Sequence, residues 1–250
     1  MNRTKNYTTV YLNNHGQVQR GVVQPSQKQE RNMNLSICTY SKNRLKHTQQ
    51  AVPNLLNITE AGDEIVFVDY SCQEGSGKWV KSLQNPKIKV IYVDNRQWWH
   101  AAHARNCAAV NTKNSILVFM DIDNIIPKEL LSTIRNMPRG QFYALIPGPD
   151  ISGFCAMYRE DFFKINGYEE ALVGHYYEDT NMYRALDLAT VKRIDIKIPV
   201  RVLDPNTQVR ILEAQTGDIW SQNEAITNVL RQKHLYRNNV SRNWALDWHI

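Results

Sequence analysis

Short apolar runs alternate with stretches of helical period through the middle of the chain. LSIC (35–38), EIVFVDYS (64–71), IKVIYV (88–93) and ILVFM (116–120) are nearly continuous apolar runs. That is the pattern of strands buried on both faces of a sheet. Between them Leu45, Val52, Leu55 and Leu56 recur at helical spacing, and AAHARNCAAV (101–110) reads as a second helix. Strands alternating with helices predict an α/β fold with a mainly parallel central sheet flanked by helices. Ligands of such sheets lie beyond the carboxyl ends of the strands. The loops after Cys38, Val68, Val93 and Met120 should therefore converge, bringing together Thr39–Arg44, Asp69, Asp94–Arg96 and Asp121–Asp123.

The second half is less regular. FYALIP (142–147), GFCAMYRE (153–160) and IDIKIPVRVL (194–203) read as strands, with Pro199 placing part of the last near an edge or bulge. A helix is expected to open near Glu178, and another over 218–234 with Ile219, Ile226, Val229 and Leu230 on one face. The pattern divides the chain into an extension over 1–31, a main domain over 32–213 and a basic, aromatic helical tail over 214–250. A turn at 13–16 (NNHG) would let the extension form a hairpin.

Composition narrows the class only a little. The N-terminus is polar and no apolar run approaches the ~20 residues of a membrane span, so a cytoplasmic, soluble protein is expected. Cys38, Cys72, Cys107 and Cys155 are scattered, which argues for free thiols over zinc or redox motifs. The net charge of +6 favours anionic partners, whether nucleotide phosphates, nucleic acid or lipid.

The sharpest chemical signal is ILVFMDID (116–123). If the strand runs through both acids, Asp121 and Asp123 project to one face. Paired hard oxygen ligands suit Mg2+ or Mn2+ bridging to a diphosphate. The competing reading is a solvated strand end.

The ordered set SICTYSKNR, EIVFVDYS, AAHARNCAA, ILVFMDID, GFCAMYREDFFKINGYEE and HYYEDTNMYRAL resembles the inverting glycosyltransferases of family 2, which have the GT-A fold. Residues 153–186 also resemble the acceptor region of galactosyltransferases. The resemblance implies a nucleotide-sugar donor, a uridine diphosphate sugar first among them, and a divalent metal. It implies that Thr39, Tyr40 and Arg44 surround the nucleotide, with Asp69 the first acid of the family's Val-Asp-Asp. Tyr70 stands where the second acid belongs. Arg105 matches the Arg of the family's Ala-Arg-Asn and would face the phosphates. Asp121 and Asp123 match the metal motif, and Glu178 and Asp179 the acceptor-side acids, with Asp179 the base. A neighbouring carboxylate raises the pKa of such a base, while a helix N-terminus keeps it ionised.

Each assignment has a plainer counterpart. Glu178–Asp179 also reads as an acidic helix start, Asp69 as a turn former and Arg105 as a solvated helix residue. His100 and His103 read as pocket or surface groups, and Trp98 and Trp99 as core or stacking platforms. The family's third metal ligand is open between Asp204 and His234. The acceptor is expected to be a saccharide. Arg237, Arg242, Trp244 and Trp248 in the tail leave a hydroxylated DNA base as the alternative. The remaining rivals are a non-catalytic nucleotide-sugar or nucleic-acid binding protein and a nucleotidyltransferase, although SKNRLK lacks the latter's glycines.

Overall fold

The structure is a computed structural model, and it describes residues 7–12, 18–23, 33–145, 153–203, 218–232, 238–239 and 243–250. The chain forms two compact units, 1–31 and 32–250. The first contains two antiparallel strands, β1 (Tyr7–Leu12) and β2 (Val18–Val23), paired from Tyr7 with Val23 to Leu12 with Val18. The turn expected at 13–16 lies outside the described residues.

The second unit is built on a seven-stranded sheet. In chain order its strands are β3 (Leu35–Ser41), β4 (Glu64–Tyr70), β5 (Ile88–Val93), β6 (Ile116–Phe119), β8 (Gln141–Leu145), β9 (Cys155–Tyr158) and β10 (Lys192–Ile196). A separate pair joins β7 (Asn124–Ile125) to β11 (Arg201–Val202). Across the large sheet the order is β10-β8-β9-β6-β3-β4-β5, and only β9 runs antiparallel to its neighbours. The helices are α1 (Leu45–Ile58), α2 (Ser76–Ser82), α3 (Ala101–Val110), α4 (Lys128–Arg135), α5 (Arg159–Lys164), α6 (Glu178–Leu188) and α7 (Ile219–Gln232). This is the α/β architecture expected, with a mainly parallel sheet flanked by helices.

The apolar runs account for the layering. Every residue of β3 and β4 is buried, so both faces of the sheet centre carry helices. One face packs α3 and α6 residues around Phe119, Phe162 and Tyr168, whose rings lie 5.3 and 5.4 Å from Phe119. The other packs Leu130, Leu131 and Ile134 of α4 on Leu35, Ile37 and Val118. A fully buried side chain of this size contributes about 1.5–3 kcal/mol. Helix α3 is half alanine and buried almost all round, so its three buried polar residues, His103, Arg105 and Asn106, need protein partners. The carboxyl-terminal residues cover an open edge: Tyr92 of β5 exchanges both backbone hydrogen bonds with His249 (2.7 and 2.9 Å).

Three expectations change. The strand expected through Asp123 ends at Phe119, and residues 121–124 form a turn closed by Asn124 N–H on the Asp121 carbonyl (3.1 Å). The single strand expected over 194–203 is two, because the chain leaves edge strand β10 at Ile196 before Pro199 and re-pairs in a different sheet. Helix α7 buries Ile219, Asn223 and Thr227, whereas Val229 is exposed. Its inner face is chosen by polar contacts that an apolar pattern does not register.

Candidate active site

A cleft open to solvent lies beyond the carboxyl ends of β3 and β6. Tyr40, Lys42 and Arg44 line it from the end of β3, and Asp121, Ile122 and Asp123 from the turn after β6. Trp99 and Arg105 reach it from the start of α3, Gly153 from before β9, and His175, Glu178 and Asp179 from the start of α6. The two aspartates thus share the cleft by virtue of a tight turn, not a strand pleat. Ile122 between them is buried among Val52, Val80 and Phe67, which anchors the turn.

Arg105 is the centre of this arrangement. Its guanidinium is 2 % exposed and lies between the rings of Tyr40 (5.4 Å) and Tyr168 (5.1 Å). Nε donates to the Tyr40 hydroxyl (2.6 Å), which itself donates to Asp121 Oδ1 (2.8 Å). Nη1 donates to Glu178 Oε1 (2.9 Å) and pairs with Asp179 Oδ1 (3.0 Å), while Nη2 pairs with Asp121 Oδ1 (3.4 Å). A buried guanidinium requires this degree of pairing. Asn106, one residue on, faces the other way: it accepts from Tyr168 N–H (2.8 Å) and donates to the Tyr168 carbonyl (2.9 Å) and Glu170 Oε1 (2.8 Å). Arg105 and Asn106 therefore hold the cleft acids and the Gly167–Glu170 segment respectively.

Three carboxylates around one guanidinium leave excess negative charge. Burial pushes the Asp179 carboxyl well above the usual carboxylate range; Arg105 opposes the shift, and Glu178 and Asp121 add to it. Asp123 is 4 % exposed, and its Oδ2 lies 3.8 Å from Arg44 Nη1. Gly153 packs directly on the cluster: a Cβ there would overlap Asp121 Oδ2 and lie 2.8 Å from Arg105 Nη2.

Of the residues singled out from sequence, Tyr40, Arg44, Arg105, Asp121, Asp123, Glu178 and Asp179 meet in the cleft. Thr39 is fully buried within β3 and does not line it. Asp69 points at the start of α2, accepting from Cys72 N–H (2.8 Å) and Gly77 N–H (2.6 Å), and burial raises its pKa. Arg96 pairs with Asp247 instead (2.7 Å). Tyr70 is buried, with its hydroxyl 3.1 Å from His103 Nδ1 and its ring edge-on to Trp99 at 5.2 Å. His103 Nε2 meets the Leu246 carbonyl (2.8 Å), so this histidine is structural. Of the tryptophan pair, Trp99 lines the cleft and Trp98 does not. Asp204 and His234 lie outside the described residues.

Gly153 and His175 escaped the sequence reading, and Lys42 entered it only as part of the Thr39–Arg44 loop. His175 stands three residues before Glu178, and that adjacency was the available signal. The tail tryptophans are not free to stack on bases. Trp244 packs on Phe162 and Phe163 (6.1 and 5.9 Å), and Trp248 lies against the same core. Arg237 and Arg242 lie outside the described residues.

The comparisons support a glycosyltransferase built on this sheet, the GT-A fold. Residues 36–137 match the model of glycosyl transferase family 2. No curated protein sequence matches the chain. Three solved structures share the fold at low identity. A mannosyltransferase from Pyrobaculum calidifontis, in complex with GDP-Man and Mn2+, superposes with a TM-score of 0.60 at 15 % identity, covering 81 % of this chain and 72 % of that one. The catalytic domain of Drosophila beta1,4-galactosyltransferase 7 in complex with xylobiose gives 0.57 at 14 %, covering 78 % and 79 %. Residues 1–349 of S. aureus TarS in complex with UDP give 0.55 at 14 %, covering 84 % and 74 %. Among the described residues no helix is long and apolar enough to cross a membrane.

Proposed function

We propose that the chain is a metal-dependent, inverting glycosyltransferase. It moves a sugar from a nucleoside diphosphate donor, a uridine diphosphate sugar first among candidates, to a saccharide hydroxyl. One observation supports this most: a single buried guanidinium, Arg105, joins Asp121 on one side of the cleft to Glu178 and Asp179 on the other.

The residues fit a divalent cation. Asp121 and Asp123 offer hard oxygens to one cleft, while no cluster of three or more His, Cys, Asp or Glu ligands exists among the described residues. Two protein carboxylates leave coordination positions for a diphosphate, as Mg2+ and Mn2+ sites on nucleotides usually do. The mannosyltransferase of like fold was solved with Mn2+. A cation held there would supply charge neutralisation at the leaving diphosphate.

The chain's own groups complete the reaction. Arg44 and Lys42 extend the positive wall of the cleft at its nucleotide end. Asp179, with its raised pKa, accepts the proton of the acceptor hydroxyl. The freed oxygen attacks the anomeric carbon as the bond to the diphosphate breaks on the opposite face, which inverts that carbon. Glu178, bonded to Arg105, orients the guanidinium and keeps positive charge beside Asp179. A saccharide is preferred to a DNA base as acceptor, because the tail rings that would stack on bases are packed against the core.

The test is a mass-spectrometric donor screen. The protein is incubated with UDP- and GDP-linked sugars and Mn2+, against mixed oligosaccharides and, separately, hydroxymethylated duplex DNA. A hexose or pentose increment on an oligosaccharide, lost in chelator, is expected. Absence of both transfer and donor hydrolysis with every donor would overturn the proposal.

A further inference from the structure

Next to the acid pair the protein displays an aromatic surface that the transfer chemistry does not use. Of the six tryptophans, Trp220 alone is exposed, at 54 %; the others are at least partly buried. Its ring touches Tyr176 edge-on at 5.3 Å and Tyr177 at 4.9 Å, and Tyr176 lies 4.3 Å from the ring of His175, which lines the cleft. The four rings form a continuous row from the cleft outward, ending one residue before Glu178 in sequence.

The row sits on a rigid support. Asn223, fully buried on α7, donates to the carbonyls of Val173 (2.7 Å) and Tyr176 (2.9 Å) and accepts from Val173 N–H (3.2 Å). These bonds tie α7 to the segment leading into the acids and fix where Trp220 stands. Tyr177 keeps a left-handed backbone (φ 70°), a costly conformation for a bulky residue.

We propose that Trp220, framed by Tyr176 and Tyr177, is a stacking subsite for a pyranose ring of the acceptor saccharide, and that it sets acceptor affinity. A flat indole face complements the C–H face of a pyranose, and the Glu224 carboxylate one helical turn away can accept hydroxyl hydrogen bonds. Glu224, one turn from Trp220 on α7, would repel a diphosphate, so the platform suits a neutral sugar better than the donor nucleotide. The inference rests on the glycosyltransferase reading for the word acceptor, not for the binding itself.

The probes are xylobiose and a panel of gluco-, galacto- and manno-configured disaccharides, followed by saturation-transfer NMR and calorimetry. UDP and GDP titrated with Mn2+ serve as the separate readout of the donor site. At least one disaccharide should bind the natural protein through ring C–H protons. Trp220→Ala should weaken it on the order of tenfold, and Trp220→Phe should restore most of the affinity. Nucleotide affinity should be unchanged in both variants. Failure of every disaccharide to bind, or equal binding by Trp220→Ala, overturns the subsite even if UDP or GDP binds. Trp220-dependent disaccharide binding without nucleotide binding upholds the subsite and removes the transferase reading.

Discussion

Arg105 Nη1 lies 2.9 Å from Glu178 Oε1, so one hydrogen bond joins helix α3 of the first half of the chain to α6 of the second. Both residues are at most 4 % exposed. Removing one partner of a buried ion pair leaves a charge without compensation, which costs about 3–5 kcal/mol. Here three carboxylates would be left facing one another. Arg105→Gln should therefore unfold at a midpoint at least ~6 °C lower and lose transfer entirely. Arg105→Lys should rescue little, because an ammonium cannot span Tyr40, Asp121 and Glu178 at once. Calorimetric melting checks the first part, and a midpoint within a degree of the natural protein would contradict it.

Asp123→Ala separates metal binding from folding. Asp123 Oδ2 lies 3.8 Å from Arg44 Nη1, and the residue's backbone carbonyl, which accepts from Leu203 N–H (2.7 Å), survives the change. The fold should hold while Mn2+-dependent binding of UDP or GDP weakens at least about a hundredfold, the upper range for loss of a ligand-shell group. Isothermal titration with and without Mn2+ measures this. Retained metal-dependent affinity would remove Asp123 from the cation site.

Much of this architecture was readable from the sequence because buried strands and an alanine-rich helix write themselves as apolar runs. Strand β5 and helix α3 begin and end where IKVIYV and AAHARNCAAV do. The acids of the cleft were readable too, each lying at the end of a clear element. What the pattern could not supply is direction. Asp69 ends a strand as Asp121 follows one, yet backbone N–H groups of Cys72 and Gly77 turn it away from the cleft. The inner face of α7 is set by Asn223 hydrogen-bonding a distant loop, which no periodicity announces. Gly153 carries no chemistry of its own and matters only for what packs on it.

That packing yields a direct test. Gly153→Ala places a methyl where Asp121 Oδ2 lies and within 2.8 Å of Arg105 Nη2. Neither neighbour can withdraw easily, since Asp121 is held by Tyr40 and Arg105 by Glu178. Overpacking of this kind costs about 1–3 kcal/mol. Transfer should fall more than stability, by at least tenfold in kcat/KM, because the displaced groups are those proposed to meet the donor. An unaffected kcat/KM, measured beside the melting midpoint, would show that the cluster tolerates displacement.

The acidity of Asp179 makes opposite demands on stability and on activity. Its folded pKa is raised above the ordinary value of about 3.9, chiefly by burial and further by Glu178 and Asp121. Between those two values the folded protein holds a proton that the unfolded chain has released. Stability contributed by this group is therefore full below the unfolded pKa and declines as pH rises through the interval, by at most ~1.4 kcal/mol per pH unit. Asp179→Asn cannot titrate, so it should lose this slope and be the more stable protein at neutral pH, while transferring no sugar. A base must be ionised to act, so kcat/KM of the natural enzyme should rise across the same interval in which its stability falls. Urea unfolding of both proteins from pH 4 to 8, without metal or donor, and the pH profile of transfer examine the two halves separately. Identical stability profiles for the two proteins would mean that Asp179 is ionised throughout, and the rise in kcat/KM would then need another group.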